Sequence, residues 1–172
     1  MIRSKEARVR AQAVLKMFHV RRAPVNVYAV AEGLGFEVHD YDFPESTSAA
    51  MVIEDDIRAI GVNRSFSIVR KRFSVAHELG HYLLGHGNFG DSKSTFEDGS
   101  YNYTDPQNRQ ESEANEFAAE LLMPEPFLKK DFSEGPPSVP QLAMKYQVSE
   151  QALWIQLFSL ELAAQTNQSA GS

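Results

Sequence analysis

The sequence contains no cysteine. Disulfide bonds and thiolate metal sites are therefore excluded, and any zinc ion has to be bound by histidine and carboxylate groups. Long apolar runs are missing as well. The first ten residues hold no apolar core of signal-peptide length, and no segment is apolar for long enough to span a bilayer. These absences favour a cytoplasmic protein without a membrane segment.

An excess of basic charge is also absent. The chain has 17 Lys and Arg residues against 23 Asp and Glu residues, which gives a net charge of −6. Proteins that bind DNA need several basic groups to neutralise phosphates, so direct DNA binding is not expected. A hydrophobic content of 42% in 172 residues is typical of one globular domain, with or without a small appendage.

The most informative stretch reads H-E-L-G-H at residues 77–81. Residues four apart lie on the same face of a helix, so His77 and His81 can bind one metal ion. Glu78 follows His77 by about 100° around the helix, which places its carboxylate beside the metal, where it can accept a proton from water. The apolar residues around this triplet predict a buried helix, where charged groups need a partner.

The other elements follow from apolar spacing, capping residues and turn signals. Asn26 can cap a short second helix, Ser65 or Ser67 can cap the helix that carries the H-E-L-G-H motif, and Ser149 can cap the last helix. Ser138 and Gln141 have the spacing of a capping box. Pro124 and Pro126 are expected to stop the helix at residues 111–123. An acidic turn separates two strands and predicts a hairpin. Residues 165–172 are expected to form a disordered tail. The predicted helices are 4–20, 27–34, 65–84, 111–123, 138–146 and 149–162, and the predicted strands are 36–43, 49–53 and 59–63.

A catalytic zinc site needs a third protein ligand. His86 follows His81 by five residues, which turns it away from the face shared by His77 and His81. His19 and His39 are expected on the surface. A carboxylate from the helix at residues 111–123 is therefore the better choice.

Four glutamates lie on that helix, at Glu111, Glu113, Glu116 and Glu120. Its alanines and leucines define a buried face, and Glu111 and Asn115 share this face, whereas Glu113 and Glu120 lean towards the edge with Phe117. Glu111 is therefore the predicted third ligand, and Glu113 is the alternative. Asn115 follows Glu111 by one turn and can orient either Glu111 or a ligand histidine.

The stretch at residues 88–110 is polar and shows no clear period. A connection of this length is usually functional or mobile. Tyr101 and Tyr103 lie in it and can supply a hydrogen-bond donor to an oxyanion. Packing of both rings on the surface is the alternative.

Two runs carry a family resemblance: R-F-S-V-A-H-E-L-G-H-Y-L-L-G-H at residues 72–86 and E-S-E-A-N-E-F-A-A-E-L-L-M-P at residues 111–124. They resemble the ImmA/IrrE family of zinc-dependent metallopeptidases, and the resemblance extends over about residues 26–160. It implies an α+β fold with a zincin-like core at residues 1–130, a small mixed or antiparallel sheet, and a zinc site between two motif helices. It assigns His77, His81 and Glu111 as zinc ligands and Glu78 as the catalytic residue.

The resemblance also extends to residues 131–164, which are similar to the helix-turn-helix-like end of the family. Gln156 stands where the family usually has an arginine. The five residues 153–155, 157 and 158 make the last helix apolar nearly all round, which predicts burial or an interface.

Members of the family typically cleave, or trigger the loss of, a helix-turn-helix transcriptional repressor. They act in phage or mobile-element induction or in stress responses, and the resemblance implies such a substrate here. The alternative is a non-catalytic zinc-binding regulator that binds a repressor through its C-terminal helices. Another divalent ion such as Mn²⁺ can replace zinc in either case.

Overall fold

The computed structural model describes residues 2–87, 91–93 and 106–166, with side chains at residues 5–87 and 107–166. Within these residues the chain forms helices and one small sheet. The helices are α1 (Ile2–Met17), α2 (Val27–Gly33), α3 (Ile68–Leu83), α4 (Pro106–Leu122), α5 (Glu125–Ser133), α6 (Val139–Tyr146) and α7 (Glu150–Ser159), followed by a 3-10 turn at Ala163–Gln165. The strands are β1 (Glu37–Tyr41), β2 (Thr47–Glu54), β3 (Ile57–Asn63) and β4 (Asp91–Lys93).

The four strands form one mixed sheet in the order β1-β3-β2-β4. β1 is parallel to β3, whereas β2 is antiparallel to both β3 and β4. The predicted hairpin is confirmed: Glu54 pairs with Ile57, and Asp55 in the turn between them has a positive φ of 51°. The α+β class and the mixed sheet are thus confirmed, while the zincin-like core and the helix-turn-helix-like unit stay predictions.

Helix α3 lies between the sheet and α4, so it is the centre of the hydrophobic core. Val75, Ala76 and Leu79 of α3 are fully buried. Gly80 brings the two helices close together, because a Cβ atom at this position would lie 3.1 Å from the backbone oxygen of Ala114 in α4. The absence of a side chain at residue 80 therefore sets the α3–α4 spacing.

The structure corrects the predicted course of α4 and α5. α4 begins at Pro106, five residues before the predicted start at Glu111, because proline suits the first turn of a helix and polar residues are tolerated on its outer side. Pro124 and Pro126 were expected only to end α4. They also begin α5, with Pro124 at the N-cap and Pro126 in the first turn.

The predicted caps have different outcomes. Asn26 and Ser149 accept hydrogen bonds from the backbone N–H groups of Ala29 and Ala152, so both caps are confirmed. Ser138 occupies the N-cap of α6 but makes no side-chain hydrogen bond there, so the predicted capping box does not form. The neighbouring proline, Pro140, already fixes the backbone of the first turn.

The C-terminal helices belong to the same buried cluster as the rest of the core. In α7, Leu153 and Leu157 are fully buried, whereas 53% of Ile155 and 69% of Phe158 remain exposed. The helix therefore buries one apolar face and presents another to solvent. The predicted tail at residues 165–172 overlaps the 3-10 turn, and Thr166 is buried; residues 167–172 lie outside the described part. Among the described helices, none is both long and apolar enough for a bilayer crossing.

Replacing Gly80 by alanine should destabilise the fold. The added Cβ would press on the backbone of Ala114 and on the ring of Phe117, each about as close as 3.1 Å. Backbone atoms cannot move aside freely, and overpacking of this kind costs about 1–3 kcal/mol, more than the 0.5–1 kcal/mol that alanine gains over glycine in a helix. Urea denaturation measures the difference. Gly87→Ala is the control, because a Cβ there meets no atom within 4 Å in the described part of the chain; equal stability of the two variants would contradict the packing argument.

Candidate metal centre

The two motif histidines lie on one buried face of α3. Ser67 begins this helix by accepting a hydrogen bond from the backbone N–H of Arg70, which selects between the two predicted caps. His77 and His81 are 6% and 7% exposed, and their ring centroids are 4.6 Å apart. Their Nε2 atoms lie 3.0 Å from each other, so both point to the same place.

Glu111 of α4 reaches this place from the other side. Its Oε2 lies 2.9 Å from His77 Nε2, and its Oε1 lies 3.1 Å from His81 Nε2. Such spacings allow a single ion to lie about 2.0–2.2 Å from one atom of each residue, as zinc does with nitrogen and oxygen ligands. Among the described residues, this trio is the group whose ligand atoms are close enough to hold a metal ion.

Electrostatics in the site favour a charged carboxylate. Burial acts to raise the pKa of the Glu111 carboxyl, but hydrogen bonds from His77 and His81 and their positive charge outweigh burial and hold this pKa well below its usual range. Burial acts to lower the pKa of His77, and the hydrogen bond and charge of Glu111 outweigh it, so that this pKa is raised. Glu111 therefore offers a negative charge to any cation between the imidazoles.

Asn115 lies behind His77, one turn after Glu111. Its Oδ1 is 2.7 Å from His77 Nδ1, where the ring N–H donates and the amide oxygen accepts. This contact leaves Nε2 free to point at the centre of the trio, as is usual for a metal-binding histidine. Of the two roles predicted for Asn115, the structure places it against the histidine.

Glu78 is 1% exposed and stands beside the trio. Its negative charge is near enough to His77 to contribute to the raised pKa of that imidazole. The trio of ligand atoms does not include Glu78. A buried carboxylate next to the centre, and outside the group of ligand atoms, is the arrangement that the motif predicted.

His86 and Glu113 form a contact that the sequence analysis missed. His86 Nδ1 lies 2.9 Å from His81 Nδ1, and His86 Nε2 lies 2.9 Å from Glu113 Oε2. His86 was expected to turn away from the face shared by His77 and His81; it stays outside the trio of ligand atoms, but it contacts the outer nitrogen of His81 because α3 has already ended. Gly85 has a positive φ of 71°, and the backbone N–H of His86 donates to the carbonyl of His81, so the chain folds back in a Schellman motif.

The alternative ligand Glu113 is thus bonded to His86, not to the trio. Glu113 and Glu120 were expected to lean towards the edge of the buried face with Phe117, and the structure shows that all three side chains are buried. Glu113 contacts His86 and Phe117 packs beside Gly80 of α3, whereas α1 and α7 cover Glu120. Glu120 accepts hydrogen bonds there from Gln12, Gln156 and the backbone N–H of Glu125.

The remaining candidates lie elsewhere. His19 and His39 are exposed, as predicted. Tyr101 and Tyr103 lie outside the described residues, so their suggested role stays a prediction. A glycine four residues after a helical histidine, followed at once by a second histidine, is the signal that could have indicated the His81–His86 contact.

A comparison with known protein families gives a match that covers most of the chain. The IrrE N-terminal-like domain of the peptidase M78 family matches residues 31–158. The chain belongs to this family. The matched stretch includes α3 and α4, and therefore the whole histidine and glutamate cluster. No curated protein matches the sequence.

The family resemblance predicted from the two sequence runs is thereby confirmed. Members of peptidase M78 are metallopeptidases of the IrrE/ImmA type, and the cluster of His77, His81 and Glu111 suits a divalent metal ion. Family membership and geometry thus agree on the place and the class of the cofactor. The individual roles of these residues in binding and catalysis stay predictions.

Replacing Glu111 by glutamine should abolish tight metal binding. The neutral amide removes the negative charge between His77 and His81, and a direct ligand should cost more than the roughly 10–100-fold that outer partners cost. Titration of the metal-free protein with Zn²⁺ or Co²⁺ measures the affinity. Glu32→Gln, on the exposed surface of α2, is the charge-matched control. Wild-type affinity in Glu111→Gln would exclude this carboxylate as a ligand.

The ion pair of Glu111 and His77 should make the metal-free protein sensitive to pH. Because the pKa of His77 is raised, the pair stabilises the fold fully below the ordinary histidine pKa and progressively less as pH rises through the folded value. We expect the free energy of unfolding of wild type to exceed that of Glu111→Gln by more at about pH 6 than at about pH 9. Urea denaturation in the presence of chelator measures both; a difference that does not shrink would contradict the pairing.

Proposed function

We propose that this chain is a zinc-dependent endopeptidase that cleaves a helix-turn-helix transcriptional repressor. The observation that carries the proposal is the position of Glu78, a buried carboxylate beside a trio of metal-binding groups in a metallopeptidase family. A structural metal site has no need of such a residue, whereas a hydrolytic site does.

The donor set supports zinc. Two imidazoles and one carboxylate are three protein ligands, which leaves one position of a tetrahedral ion open for water or substrate. Structural zinc sites usually use four protein ligands, commonly cysteines, and this chain has none of the latter. Mn²⁺ is the alternative ion, since it also accepts carboxylate ligands.

Glu78 is proposed to move the proton. His77, His81 and Glu111 would hold a divalent ion, which would supply a water of lowered pKa and polarisation of a peptide carbonyl. Glu78 accepts the proton that this water loses and delivers it to the nitrogen of the leaving amine. Burial of His77, Glu78 and His81 keeps bulk water from the reacting groups and strengthens their electrostatic interactions.

The substrate class rests on the family resemblance. Members typically act on helix-turn-helix repressors in phage or mobile-element induction or in stress responses, so we place the reaction in the cytoplasm, where such repressors bind DNA. The net charge of −6 supports a role that does not require the chain itself to bind DNA. Its contact with the regulated gene is then through the repressor protein.

A second candidate function is a non-catalytic regulator that sequesters the repressor through its C-terminal helices. The observation that favours it is the exposed apolar side of α7, with Ile155 and Phe158 more than half accessible to solvent. Exposed apolar side chains grouped on one helix are common at protein-binding surfaces. Both functions use the same partner, and only the first breaks a peptide bond.

Co-expression with the helix-turn-helix repressor encoded nearest to this chain tests the proposal. We expect repressor fragments with wild type and a loss of cleavage of about 100–10,000-fold with Glu78→Gln, because the proton acceptor is removed while the ligands remain. Immunoblotting measures the fragments, zinc titration checks that the variant still binds metal, and Glu32→Gln is the control.

Two results would overturn the hydrolytic function. Undiminished cleavage by Glu78→Gln would remove Glu78 as the base, and cleavage that persists with a metal chelator would remove the metal. Relief of repression by Glu78→Gln without fragments would support the non-catalytic regulator instead. A reporter gene under the repressor separates these outcomes.

A further inference from the structure

His86 and Glu113 extend the metal centre outwards from His81. His86 is 5% exposed and Glu113 is 8% exposed, so both polar groups are buried. Two contacts of 2.9 Å connect Glu113 Oε2 to His86 Nε2 and His86 Nδ1 to His81 Nδ1. We propose that His86 and Glu113 are positioning residues, which hold the ring of His81 with its Nε2 lone pair directed at the metal ion. This proposal rests on metal binding by the trio.

Glu113, His86 and His81 are connected by two hydrogen bonds, and the carboxylate of Glu113 fixes the direction of both. A carboxylate only accepts, so the proton between Glu113 and His86 belongs to His86 Nε2. Neutral His86 then has an unprotonated Nδ1, which accepts from His81 Nδ1–H. Neutral His81 is thereby left with a lone pair on Nε2, the atom that faces His77 and Glu111. When both imidazoles are neutral, a single arrangement of protons satisfies both contacts, and it prepares His81 as a ligand.

Helix geometry explains why Glu113 needs His86 to reach His81. Residues two apart on a helix point in different directions, so Glu111 and Glu113 of α4 cannot contact the same imidazole edge. Glu111 reaches the inner Nε2 of His81. Glu113 reaches its outer Nδ1 only through His86, which the Schellman turn at Gly85 places between them. α4 thus holds both nitrogen atoms of His81.

The two ligand histidines are held differently. Asn115 contacts His77 through an amide, which can rotate to present either an acceptor or a donor. Glu113 has no donor when it is ionised, so its contact permits one direction only. Removing an outer partner of a metal-binding histidine typically costs about 10–100-fold in metal affinity. We expect a loss in this range when the path from Glu113 to His81 is broken.

The test compares wild type, His86→Phe, Glu113→Gln and the double variant, with His39→Gln as control because His39 is exposed on β1. Competition with a chelator at one fixed pH gives the affinity for Zn²⁺ alone. We expect a loss of about 10–100-fold for His86→Phe and about tenfold for Glu113→Gln. The double variant should bind zinc no more weakly than His86→Phe, because both changes break the same chain of contacts from Glu113 through His86 to His81.

Nuclear magnetic resonance of the zinc-loaded protein with ¹⁵N-labelled histidine adds a measurement that a loss of packing would not alter. We expect His86 in the Nε2–H tautomer and a coupling across the hydrogen bond between His81 Nδ1 and His86 Nδ1. Glu113→Gln should give mixed tautomers of His86, and this readout remains informative if His86→Phe does not fold.

Results that contradict the positioning role can be told apart from results that contradict zinc binding itself. Wild-type zinc affinity in both single variants, additive losses in the double variant, or a His86 protonated at Nδ1 would each overturn the positioning role alone. Failure of wild type to bind zinc would overturn it together with the proposed peptidase.

Discussion

The close approach of α3 and α4 is the constraint on which the centre depends. A carboxylate side chain is short, so Glu111 can meet two imidazoles of another helix only if the backbones nearly touch. Gly80 permits this, because its missing side chain would otherwise occupy the space beside the carbonyl oxygen of Ala114. The glycine lies between the two histidines, one residue before His81. The spacing of the helices and the geometry of the site are therefore set at one point.

Around that point the protein buries polar groups that would be costly if they were alone. The imidazoles of His77 and His81 each use both nitrogens: the inner ones meet Glu111, and the outer ones meet Asn115 and His86. Contacts on two sides of each ring fix its orientation. A site that is ordered in advance loses less entropy when it binds its ion.

The C-terminal helices are attached to both helices of the centre. Arg72, in the first half of α3, is buried and donates to the carbonyls of Tyr146 and Gln147 at the end of α6. Gln156 of α7 donates to Glu120 of α4 and to the carbonyl of Met123. Where the family usually has an arginine, a neutral amide thus joins a buried carboxylate. These contacts connect the apolar outer face of α7 to the helices that carry the metal-binding groups.

The sequence by itself determined what depends on local spacing. The pairing of His77 and His81 and the position of Glu78 follow from the repeat geometry of a helix, and the caps at Asn26 and Ser149 follow from residue type. The helical face also indicated Glu111, but the buried state of Glu113 and the return of His86 did not follow from it. Only the tertiary structure decided those, because a helix that is covered on several sides has several buried faces, and the sequence does not state which neighbour covers each. A polar residue finds its partner only when distant segments pack together.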